Sequence, residues 1–150
     1  MGKKDASDSE IYQALDVAQA KEFVDSKKEG LDLKIQQQGS NLSGGQKQRL
    51  TIARALVGSP EILILDDSAS ALDFATDARL RKAIRENTEK TTVFIISQRV
   101  SAVRNADRIL VLDDGRIVGI GTHQDLLATN AVYQEICASQ LSGKEACNNA

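Results

Sequence analysis

The spacing of hydrophobic positions changes twice along this chain. Near the N-terminus, Ile11, Leu15 and Ala18 recur at helical spacing. Ser7 with Glu10 three residues on is a capping box that opens this helix. A short second helix is predicted over 21–24, Gly30 closes the helical part, and 31–40 reads as a connecting loop. Ser43 with Gln46 repeats the capping pattern and opens a helix through Leu50, Ala53, Leu56 and Val57, which Gly58 and Pro60 end. The period then changes. Ile62-Leu63-Ile64-Leu65 is a continuous apolar run, as expected for a parallel strand buried on both faces, and Asp66 and Asp67 follow it. A helix over 74–89 and a second buried strand over 92–96 come next. The apolar runs 108–112 and 116–120 flank Asp113-Asp114-Gly115, a hairpin signal. Thr122 can cap a helix over 123–128, a last helix is expected over 132–141, and the small polar residues of 142–150 read as a fraying tail.

Strand, helix, strand, helix and then a hairpin, after a small helical part, indicate an α/β fold. The organisation read from this order is a helical segment with its loop over 1–40, a sheet core over 41–141 and a flexible tail over 142–150. Ligands of open parallel sheets lie beyond the carboxyl ends of the strands, where Asp66, Asp67 and Gln98 fall.

Composition narrows the function classes. The chain has 150 residues, a formal net charge of -2 and 3% aromatic residues. This balance gives no pull toward nucleic acid or anionic lipid, and few rings on which bases could stack. Cys137 and Cys147 lack metal-ligand spacing and read as reduced thiols. Residues 1–10 are too polar for a secretory signal, and no apolar run approaches the roughly 18 residues of a membrane helix.

The candidate chemistry begins at Asn41-Leu42-Ser43-Gly44-Gly45-Gln46-Lys47-Gln48-Arg49. Two glycines at a helix start let backbone approach a ligand, the first-turn N–H groups lack partners, and the helix dipole favours an anion. Ser43 adds a hydroxyl donor, so the run suits phosphate. Alone it reads more readily as a capped helix after a flexible loop. Ile62 to Asp66 adds an apolar strand ending in an aspartate able to hold Mg2+ through water. Ser70-Ala71-Leu72-Asp73 follows.

Together these runs resemble the LSGGQ signature, Walker B strand and D-loop of ABC-type ATPases. The likeness covers residues 3–141 and is closest to the nucleotide-binding domain of ABC exporters. It implies a partial ABC-type ATPase domain that uses ATP and Mg2+ at the cytoplasmic face of a membrane. Ser43, Gly44, Gly45 and Gln46 would contact ATP held by a second nucleotide-binding domain. Asp66 would serve the metal, 70–73 would cross the dimer interface, and the transmembrane domains of an exporter would be further partners.

Three positions depart from the family pattern. Asp67 stands where a glutamate acts as general base, and its side chain is one methylene shorter. A base must lie within about 2.6–3.2 Å of the proton it takes, so Asp67 is expected to catalyse poorly unless a small shift compensates. Gln98 occupies the switch-histidine position and cannot titrate near neutral pH. His123, the only histidine, stands at a helix start and reads as structural. Gln36-Gln37-Gln38-Gly39 is uncharged where exporters often carry a coupling glutamate. An intact signature beside Asp67 and Gln98 resembles the degenerate-site subunit of a heterodimeric exporter.

No GxxxxGKS or GxxxxGKT run is present. Without that loop the β- and γ-phosphates lose their main cradle, so hydrolysis by the chain alone is not expected. Two readings of this remain open: a piece of a longer exporter subunit, or a small protein complete in itself. The alternative function is a non-catalytic interaction module that binds a full-length ABC subunit through its 70–73 face. Strands lacking neighbours would also expose apolar surface and lower solubility.

Overall fold

A computed structural model describes residues 3–148 except position 69; side chains are described as far as 140. The chain divides into two compact units, Met1–Ile96 and Ser97–Ala150.

In the first unit, helix α1 (Asp8–Val17) starts on the expected capping box. The Ser7 side chain accepts from the Glu10 backbone N–H, and the Glu10 carboxylate accepts from the Ser7 N–H at 2.9 Å. Helix α2 (Lys21–Asp25) follows. The expected plain loop contains two short 3-10 turns, Gly30–Asp32 and Gln37–Gly39. Helix α3 (Gly44–Leu56) carries the second capping box. Strands β1 (Ile62–Asp66) and β2 (Thr92–Ile96) pair in parallel, Ile62 opposite Thr92 and Asp66 opposite Ile96. Helix α4 (Phe74–Asn87) makes the crossover between them.

Burial of these strands departs from expectation. Leu63 and Leu65 enter a core with Ala14, Leu15, Ile52, Leu80 and Ile84. Ile62 and Ile64 remain 60% and 63% exposed, and Phe94 and Ile96 are half exposed. The strands are therefore buried on one face, not two. A strand is sealed on both faces only where a layer covers each, and among the described residues the helices of this core cover one.

The second unit begins with a short helix, α5 (Val100–Val103), at the place in chain order where a helix was expected before the hairpin. Strands β3 (Ile109–Asp113) and β4 (Arg116–Gly121) form the predicted hairpin. Asp114 and Gly115 both have positive φ, 45° and 71°, as the two-residue turn demands. The register slips between Val111 and Leu112, which leaves Val118 as the extra residue of a bulge. Ile109 and Val111 pack with Leu126 and Tyr133, while Leu110, Leu112, Ile117 and Ile120 are exposed. Helix α6 (His123–Thr129) is capped by Thr122 with Asp125. Helix α7 (Ala131–Asn148) runs past the expected end at 141. The predicted tail thus includes helix, and its positions 149 and 150 lie outside the described residues.

Candidate functional site

The run from Ser43 is organised by its own side chains. Ser43 Oγ accepts from the Gln46 N–H at 3.2 Å, and Gln46 Oε1 accepts from the Ser43 N–H at 2.9 Å. That reciprocal pair fixes the first turn of α3. The N–H groups of Gly44 and Gly45 are the first two of the helix and have no intrahelical acceptor. Asn41 holds the approach to this turn: its amide donates to the Lys34 carbonyl at 3.0 Å and accepts from the Gln36 N–H at 3.1 Å. Arg49 anchors the helix from the other side, donating to the Gln19 carbonyl at 2.5 Å.

The 70–73 segment lies against this helix start. An open concavity of about 440 Å3 is lined by Ser43, Gly44, Gly45, Arg49, Ala71, Leu72, Asp73 and Thr76. The fit is close on the protein's own side. A Cβ on Gly45 would stand 3.3 Å from the Ala71 carbonyl oxygen and 3.3 Å from Leu72 Cδ2. One on Gly44 would meet Ala71 Cβ at 3.4 Å. The Gln48 amide bridges the two segments, donating to Ser70 Oγ at 2.9 Å and accepting from the Ala71 N–H at 3.0 Å. Asp73 ends the segment as N-cap of α4, its Oδ1 accepting from the Thr76 N–H at 2.9 Å. The bonds from the Thr76 backbone and then its side chain hold the Asp73 carboxyl below the usual range.

Asp66 and Asp67 stand at the carboxyl end of β1, both exposed. The Asp67 N–H extends the parallel pairing by donating to the Ile96 carbonyl at 2.9 Å. With φ of 42°, Asp67 turns the chain out of the strand in a conformation that few residues other than glycine, Asn and Asp adopt. Among the described residues no three acidic, histidine or cysteine side chains form a metal cluster. Two carboxylates at a strand end suit a magnesium ion that takes its other oxygens from water and phosphate.

Gln98 belongs to the second unit and is exposed. Its backbone is fixed by a residue with no sequence signal for that role. Gln140 on α7 donates from Nε2 to the Gln98 carbonyl at 2.5 Å, and its Oε1 accepts from the Val100 N–H at 2.9 Å. His123 has a structural partner, as its position suggested: Nδ1 lies 2.8 Å from the Tyr133 hydroxyl, with the rings edge-on at 5.7 Å. Burial pushes the Cys137 thiol up, which makes it a poor nucleophile. Cys147 lies beyond the described side chains.

The structure thus brings Ser43 to Gln46 together with 70–73 and sets the Asp66–Asp67 pair at the end of β1. The contacts of Gln48 and Asn41, which lie in the candidate run, and of Gln140, which does not, were not found from sequence. Asn41 bonds backbone five and seven residues away, Gln48 and Gln140 backbone more than twenty residues away, and a polar residue on a helix surface or in a loop announces no such partner.

Comparison with known proteins agrees with this architecture. The sequence profile of the ABC transporter family matches residues 3–70. The probable multidrug resistance ABC transporter ATP-binding/permease protein YheI of Bacillus subtilis is 52% identical over 134 residues, which cover 89% of this chain and 23% of that protein. The beta-(1-->2)glucan export ATP-binding/permease protein NdvA of Rhodopseudomonas palustris is 42% identical over 145 residues, 97% of this chain and 24% of the relative. A bacterial Atm1-family ABC exporter solved with ATP bound superposes with a TM-score of 0.88 at 38% identity, over 93% of this chain and 25% of the exporter chain. The chain therefore spans about a quarter of the length of these relatives. Its fold is that of part of an ABC exporter nucleotide-binding domain, with a parallel sheet, an antiparallel hairpin and helices.

Proposed function

We propose that this chain, with the fold of a partial ABC exporter nucleotide-binding domain, supplies its signature run to an ATP held by the phosphate loop of a partner domain. ATP and Mg2+ provide the transferable phosphoryl group and its charge neutralisation when bound. The observation that carries the reading is the joint presentation of Ser43, Gly44 and Gly45 with the 70–73 segment around one concavity. The residues fit a phosphate group. A helix of 13 residues opens there with first-turn N–H groups that have no intrahelical acceptor, and its dipole favours the anion. Ser43 keeps its hydroxyl proton to donate, because in the capping box its oxygen acts as acceptor. Such donors stabilise charge on the transferring group and leave activation of water to other residues.

On its own Walker side the chain would be hydrolysis-poor. Asp67 is a short carboxylate on a left-handed turn, and Gln98 offers an amide where the family pattern has an imidazole. This supports the role of degenerate-site subunit in a heterodimer. Asp66 would orient a magnesium-bound water, and the segment 70–73 would face the partner domain. Association with exporter transmembrane domains would place the chain at the cytoplasmic face of a membrane. No helix among the described residues is long and apolar enough to cross one.

The test pairs this chain with an exporter nucleotide-binding domain that carries a phosphate loop. Ser43→Ala in this chain is expected to lower ATP turnover of the pair at least about tenfold, the loss of one charge-stabilising donor. Turnover unchanged by Ser43→Ala, or micromolar Mg-ATP binding with turnover by the chain alone, refutes the reading.

A further inference from the structure

We propose that Gln48 is a positioning residue whose amide clasps the 70–73 segment to the signature helix, so that the two elements meet a nucleotide as one piece. The inference rests on the trans-signature reading above and adds a residue that touches neither nucleotide nor metal.

One side-chain group makes both contacts. Gln48 Nε2 donates to Ser70 Oγ at 2.9 Å while Oε1 of the same group accepts from the Ala71 N–H at 3.0 Å. The two contacts bridge 22 and 23 residues of chain, so neither forms within a local turn. Ala71 is exposed, and its neighbour Leu72 is buried against Gly45. The segment is thus seated by one apolar side chain and oriented by one amide. Three polar residues of one helical turn divide the labour. Gln46 closes the capping box, Gln48 reaches the 70–73 segment, and Arg49 anchors to the Gln19 carbonyl.

A signature and a loop that moved independently would each have to be ordered at the moment of reaction. Held together, they arrive with that ordering already done, which raises the rate of the chemical step more than it tightens substrate binding. Loss of the clasp is therefore expected in kcat, with KM for ATP unchanged.

Two measurements test this. In the chain as it stands, Gln48→Met keeps length and removes both hydrogen bonds. Amide exchange at Ala71 is expected to rise about tenfold while Ile52 and Ala53 in α3 keep their protection. Gln48→Glu should restore slow exchange at Ala71, because a carboxylate oxygen can accept from the Ala71 N–H as the amide oxygen does. Equal Ala71 exchange in Gln48→Met and the unsubstituted chain overturns the clasp, as does a Gln48→Glu variant as fast as Gln48→Met. In the mixed pair with a phosphate-loop domain, Gln48→Met should lower kcat about tenfold at constant KM, with rescue by Gln48→Glu. If Ser43→Ala lowers turnover and Gln48→Met does not, the positioning role falls and the trans-signature reading stands. If Ser43→Ala also has no effect, the reading beneath both falls.

Discussion

Helix α4 leaves the 70–73 segment and carries a buried carboxylate in its first turns. Asp77 is 1% exposed, and its Oδ2 accepts from Arg81 NH1 at 2.6 Å. Among the described residues its Oδ1 has no hydrogen-bond partner. Arg81 is therefore the one side chain seen to compensate this buried group among the described residues. Arg81→Met retains the aliphatic stem and removes the charge. Breaking a buried pair by deleting one partner costs about 3–5 kcal/mol. The lower end, about 3 kcal/mol, applies because the Arg81 side chain keeps 19% of its surface in water. Replacing both partners, as Asp77→Leu with Arg81→Met, removes the stranded carboxylate together with its ion and should recover most of that loss. Urea unfolding of the single and double variants, compared at constant m, reads both quantities. An Arg81→Met variant within about 1 kcal/mol of the parent refutes the reasoning, because that is the range of an exposed pair. So does a double variant no more stable than the single one.

Gly119→Ala should destabilise the second unit. A Cβ there would lie 2.5 Å from Asn130 Nδ2, and displacing that amide breaks its bonds to the Val118 carbonyl and the Tyr133 N–H. Two bonds at about 1 kcal/mol each, with crowding, give a loss of about 2–4 kcal/mol; denaturant unfolding as stable as the parent would refute this. The α1 capping box should loosen in acid. Hydrogen bonding from Lys3, then from Ser7, lowers the Glu10 carboxyl from 4.5 to about 2. Its contribution is present above pH 4.5 and is lost as the pH falls toward about 2. Glu10→Gln keeps a capping amide and should flatten amide exchange of α1 over that window; an unchanged acid dependence would contradict the assignment.

What the sequence disclosed depends on the range of the interaction. The capping boxes at Ser7, Ser43 and Thr122 each close over three residues, so residue type and spacing suffice to find them. The Asp114-Gly115 turn was legible for the same reason. One-sided burial of β1 was not. An Ile-Leu-Ile-Leu run reads identically whether one face or both are covered, and the difference lies in layers set by residues elsewhere. The contacts of Gln48 and Gln140 were invisible because a helix surface normally carries such residues for solubility alone.

The glycines of the signature show why local reading stopped short. Read as sequence, Gly44 and Gly45 make room for a ligand. The structure adds a second occupant of that room, since the Ala71 carbonyl and Leu72 side chain already lie within 3.3 Å of where a Gly45 Cβ would stand. The absent side chain therefore serves two approaches, one from the chain itself and one from the open concavity. A methyl group on Gly45 would push first against the 70–73 segment, and the Gln48 amide would transmit that displacement along α3. Loss of function at this glycine would then report on the seating of the segment as much as on phosphate contact. Separating the two requires a residue that holds the segment without facing the concavity. Gln48 bonds Ser70 and Ala71 and does not line the concavity, which makes it that residue.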